Sequence, residues 1–107
     1  GEQSKVIRER VTKAREIQTL RFAKSEKVHC NSQMHVKQIR EYCALNSESM
    51  TLLKTAMESL GLSARAYDRI LKVARTIADL DAKPDILPEH IAEAIQYRSL
   101  DRENWAG

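Results

Sequence analysis

Between Gly61 and Asp81 the chain reads GLSARAYDRILKVARTIADLD, and within it Tyr67, Ile70, Leu71, Ala74, Ile77 and Ala78 fall on one side of a helix. A stripe three to four residues apart and this wide must be covered by other elements, so it dictates a helix laid against a core. Ser63 stands where an N-cap belongs. Arg65, Arg69, Lys72, Arg75 and Asp79 take the other, polar side, and the order Asp68 then Lys72 suits an ion pair four residues apart. Arg65 is the odd residue of this helix. A cation in a first turn faces the positive end of the helix dipole, and it is favoured there only opposite an anion.

The rest of the chain repeats the helical period. From Lys5 to about Lys24, the residues Ile7, Val11, Ala14 and Ile17 recur on one face of a basic amphipathic helix. SEKVHCNSQ breaks that pattern, and a second helix is expected over Met34 to Cys43, with Val36, Ile39 and Tyr42 or Cys43 inward. Asn46 or Ser47 caps a third, whose inward face is Met50, Leu53, Met57 and Leu60 and which Gly61 ends. After AKPD, Pro88 suits the first position of a fifth helix, with Ile91, Ala94 and Ile95 inward. No useful strand-like alternation appears. The expected fold class is all-α, a compact bundle of about five helices with short connections. A chain of 107 residues suffices for one such core without metal or disulfide staples.

Charge is uneven. Residues 1–40 hold ten Lys or Arg against four Glu, and residues 41–107 hold eight against eleven acids. A basic first helix ahead of a mildly acidic bundle suits an acidic neighbouring domain or nucleic acid, against the plainer reading of a solvated face. No aromatic interleaving or helix-turn-helix pattern accompanies it. Nothing approaches the ~20 consecutive apolar residues of a membrane span. Two cysteines without CxxC spacing or a disulfide-dense pattern suggest a reducing, cytoplasmic setting. His29, Cys30, His35 and Cys43 follow no known ligand spacing, so no metal site is expected and the pattern is read as buried thiols and surface imidazoles. A phosphate loop, GxSxG, HExxH and any nucleophile beside a base are all missing, so the chain alone is not expected to be an enzyme.

Three blocks carry a resemblance: NSQM at 31–34, LGLSARAYDRILKVARTIADLD at 60–81 and HIAEAIQYRSLDR at 90–102. Together they closely resemble the C-terminal domain of the magnesium chelatase-like, ComM-type family of AAA+ ATPases. The resemblance implies a helical lid over residues 28–107, and it leaves the basic helix of residues 1–27 to the end of the ATPase core or to a linker. It implies that Ser63, Ala64 and Arg65 match the small-residue, any-residue, Arg pattern of a sensor 2 arginine. Arg65, with Ser63 beside it, would then meet the ATP γ-phosphate when the lid closes on its core or on a neighbour's. ATP and Mg2+ are the cofactors so implied for the full-length protein, with none for this chain alone. The implied partners are the core, neighbouring subunits of a homo-hexamer and, through the full-length motor, DNA. Arg69, Arg75, Arg98 and Arg102 are interface candidates, with solvated or intradomain pairing as the alternative. Tyr97, Arg98, Asp101 and Arg102 suit a helix-ending charge network. A motor subunit of a true magnesium chelatase and a free-standing basic nucleic-acid-binding module are the competing functions.

Overall fold

In the computed structural model, which describes residues 2–100, five α-helices and one 3-10 turn follow in order: α1 (Glu2–Arg21), the turn (Asn31–Gln33), α2 (Val36–Tyr42), α3 (Ser47–Leu60), α4 (Ala64–Leu80) and α5 (Pro88–Leu100). The fold class is all-α, as the periodicity requires. Among the described residues the β contribution is one parallel bridge, where Leu45 in the α2–α3 connection meets Ile86 in the α4–α5 connection. Helix α4 is central. It packs on α1, on α2 with the preceding turn, and on α5, while α3 closes the far side against α5.

Local signals set the helix ends. The Asn46 side chain accepts the Ser49 N–H at 2.8 Å and starts α3. At its other end Gly61 adopts the left-handed conformation, φ +61°. Its N–H reaches the Glu58 carbonyl and the Leu62 N–H reaches Met57, the paired bonds of a Schellman turn. Pro88 is the first residue of α5, where a missing N–H costs nothing. Helix α4 ends in the same kind of turn, with Ala82 bonded to Asp79 and Lys83 to Ala78. There the left-handed residue is Ala82, φ +54°, which carries a Cβ where glycine would relieve strain.

The expected stripe of α4 is the core. Ile70, Leu71, Ala74 and Ala78 are buried, joined by Leu53 from α3, Ile91 and Ala94 from α5, and Val28, Met34 and Ile86 from connections. Ile70 and Leu53 have no measurable exposure. Replacing either with alanine is expected to cost about 2–5 kcal/mol in denaturant melts. A cost below about 1 kcal/mol would mean that the site collapses around the deletion.

Three inward assignments fail. Val36 is 57% exposed, because the chain between Asn31 and Met34 forms a 3-10 turn that buries Met34 instead and delays α2 by two residues. Leu60 is exposed, because the Schellman turn carries the chain back and Leu62 packs on the core in its place. The stripe of α1 is buried at Ala14, half-buried at Val11 and Ile17, and open at Val6 (51%) and Ile7 (58%).

Candidate functional site

The polar side assigned to α4 divides in two. Its first turn is solvated, whereas its last two turns bury charge: Arg75 is 3% and Asp79 1% exposed. Neither therefore belongs to a solvated face, and what neutralises them arrives from distant sequence. Arg21 at the end of α1 grips the Asp79 carboxylate with both guanidinium nitrogens, at 2.8 and 2.7 Å. Asn31 donates to the same carboxylate at 2.8 Å and accepts from Arg21 at 2.9 Å. Arg75, one turn before Asp79, completes the cluster at 3.2 Å. A buried carboxylate with this many charge-assisted donors is fully compensated.

Outer contacts hold the cluster in place. The Gln18 side chain accepts the Asn31 N–H at 3.0 Å, and Asn31 also donates to the Thr76 hydroxyl at 3.1 Å. The Tyr42 hydroxyl donates to the Arg21 carbonyl at 3.3 Å, and the Arg21 guanidinium lies 5.7 Å from the centre of the Tyr42 ring. Arg75 donates to the Lys83 carbonyl at 2.8 Å and to Pro84 at 3.0 Å. The left-handed Ala82 turns these carbonyls toward it. Burial lowers the Arg75 pKa from its ordinary value, against the opposing pull of Asp79. Cys43, close by, is pushed up to about 11 by burial, so its thiol is an inert core group. Of the two readings given for Arg75, the geometry is that of intradomain pairing.

At the opposite end of α4, the Ser63 hydroxyl accepts the Ala66 N–H at 3.2 Å, the cap its position suggested. Arg65 is exposed and makes no hydrogen bond or ion pair among the described residues. Arg69 is half-buried along the rim of an open groove of about 640 Å³ between α4, α5 and Ser32. Lys72 donates to the Ser32 carbonyl at 3.2 Å rather than pairing with Asp68. Arg98 is placed on α5 by its backbone alone, and Asp101 and Arg102 lie outside the described residues.

His29, Cys30, His35 and Cys43 form no cluster. Asp81, Glu89 and His90 do bring potential ligand atoms within 4.8 Å of one another. The hydrogen bonds at His90 oppose a metal there. Its Nδ1 accepts the Leu87 N–H at 2.9 Å, which leaves the ring proton on Nε2, facing Asp81 at 3.0 Å. A metal on Nε2 would need Nδ1 to become a donor toward another donor. His90 instead reaches back from the third position of α5 to the Leu87 N–H, one half of the reciprocal pair of a capping box, since Leu87 has no side-chain acceptor to supply the other.

Its hydrogen bond holds the Asp81 carboxyl below the usual carboxylate value of 3.8. Because the folded value is the lower one, the resulting stabilisation is complete above the ordinary value and is lost as pH falls through the folded one. The stability difference between wild type and Asp81→Asn should therefore shrink as acid denaturation proceeds below that value. A difference that is constant with pH would refute a titrating role for this bond.

Sequence reasoning missed the Asp79 cluster and His90. For the former, a signal was present in NSQM, which stood among the resembling blocks without any local reason for its asparagine.

The chain matches, over residues 1–98, the family described as magnesium chelatase, subunit ChlI C-terminal. It is 46% identical to the competence protein ComM of Haemophilus influenzae and 43% identical to YifB of Escherichia coli, each over 95% of this chain. A Mycobacterium tuberculosis protein is 31% identical over 92% of it. The chain spans 19% of the length of each of these relatives. With an all-helical fold built on α4 and these relatives along nearly its whole length, the chain belongs to the magnesium chelatase-like family, as the C-terminal domain of a ComM-type protein.

Proposed function

We propose that this domain is the helical lid of an AAA+ ATPase and that Arg65 is its sensor 2 arginine. The observation that carries the reading is Arg65 itself, an exposed guanidinium with no counter-charge among the described residues, in the first turn of a capped helix. Such a group fits an anion presented from outside the domain, and a phosphate suits the planar donor fork of arginine. Bound ATP with Mg2+ would supply the phosphoryl group and its metal. This chain's part is to present one positive charge to the phosphate and to carry that contact as a movement of α4. Ser63 fixes the first turn from which Arg65 projects, its hydroxyl being engaged by the Ala66 N–H.

In the same reading the protein is cytoplasmic, the parent assembles as a homo-hexameric motor, and residues 1–27 lead from the ATPase core into the lid. Its action on DNA rests on similarity to a protein named for competence. A metal-inserting chelatase motor rests only on the wording of the family description. The test is ATP turnover by the full-length protein carrying Arg65→Ala. A strong loss with the helical circular dichroism retained is expected, and wild-type turnover would overturn the sensor assignment.

A further inference from the structure

Helix α1 is half embedded. Its final turns are locked by Ala14, by Gln18 on Asn31 and by Arg21 on Asp79, whereas the same stripe continues toward the N-terminus as Val11 and then the open Ile7, with Val6 exposed beside it. Ile7 lies about 10 Å along the helix axis from Ala14, at 1.5 Å per residue. Arg10, between Val6 and Ile7 on the helical wheel, donates to the Leu80 carbonyl at the end of α4, at 3.3 Å. The outward face bears Lys5, Arg8, Glu9, Thr12, Lys13, Arg15 and Glu16, all exposed. Glu9 and Glu16 interrupt its four cations, the mixed sign of a solvated helix face. The open aliphatic pair lies on the other face, flanked by the basic surplus of residues 5–15.

We propose that Val6 and Ile7, with the half-covered Val11, form a docking face for the part of the same polypeptide that precedes α1, received there by an apolar pocket with an acidic rim. Two observations select this occupant. The matching family model describes a C-terminal domain and the chain spans 19% of the length of its relatives, so in a protein built like them most of the polypeptide would precede α1, joined at the end where the face opens. The face also extends an established internal seam rather than forming an isolated patch. The proposal rests on the chain being part of a longer polypeptide and is independent of any role for Arg65.

Thiol protection tests it. Ile7→Cys and, on the solvated face, Thr12→Cys are introduced separately into a Cys30→Ser background. Each is labelled with a maleimide in this 107-residue chain and in the full-length protein, and read by mass spectrometry of the α1 peptide. Since Ile7 is exposed in this chain, its replacement removes no core contact. The thiol at position 7 should label at least about tenfold more slowly in the full-length protein, with position 12 labelling at similar rates in both; this is roughly 1.4 kcal/mol of protection. Equal rates at position 7 would overturn the proposal. Protection that arises in the 107-residue chain with rising protein concentration would assign the face to a second copy, and protection appearing only with added duplex DNA would assign it to nucleic acid. Either result also overturns it.

Discussion

Replacing Asp79 with alanine is expected to cost about 3–5 kcal/mol of stability, the range for removing one member of a buried charge cluster. The reason lies less in what the ion pairs add than in what their loss leaves behind. Arg75 and Arg21 would face each other with like charge in a site where side-chain exposures are 4% and 11%. Asn31 would also lose one of the two acceptors of its amide and keep only the Thr76 hydroxyl. Burial already depresses the Arg75 pKa, and without Asp79 that penalty is unopposed by its chief counter-ion. For a domain of this size the loss corresponds to a fall in melting temperature of roughly 15–30 °C. Arg21→Ala should cost less, since it leaves Asp79 with Arg75 and Asn31. If Asp79→Ala melts within about 1 kcal/mol of wild type, water reaches the cluster and the buried-charge account fails.

Arg65→Ala should behave in the opposite way. Exposed and without a partner among the described residues, Arg65 should contribute little to folding, and its loss should leave stability within about 0.5 kcal/mol of wild type. If the proposed sensor 2 role holds, ATP turnover by the full-length protein should fall roughly 10²–10³-fold, the scale for removing one preorganised donor from developing charge. Arg65→Lys should recover only part of it, because an ammonium keeps the charge and loses the fork. Alanine and wild type turning over alike would make Arg65 an ordinary solvated arginine. The two experiments also separate the ends of one helix: the expected loss at its C-terminal charges is one of stability, and the expected loss at its N-terminal charge is one of turnover with stability unchanged.

These ends differ in how far local sequence foretells them. Gly61, Ser63 and Pro88 act within a turn of themselves, so their spacing was sufficient. The α4 stripe was legible because it exceeds what a solvated helix tolerates. A helical wheel, however, assigns Arg75 and Asp79 to water, because it cannot see Arg21, 58 residues from Asp79. Val36 and Leu60 were misassigned for the converse reason: the period is local, but whether a neighbour arrives to cover it is tertiary. Ala82 gave no signal at all, since nothing in its side chain announces a left-handed turn. The position of Arg65 could be read from its cap, while its proposed role came from resemblance.

The Asp79 cluster also bears on how this protein can be divided and recombined. Domain shuffling succeeds where few interactions cross the cut. A break between α1 and the rest would pass through Arg21 on Asp79, Asn31 on Arg21, Gln18 on Asn31 and Tyr42 on the Arg21 carbonyl. A domain transplanted without that helix would carry an anion whose shortest ion pair stayed with the donor protein. A cut that keeps the cluster whole therefore falls before Gln18, with the last turns of α1 left on the domain's side.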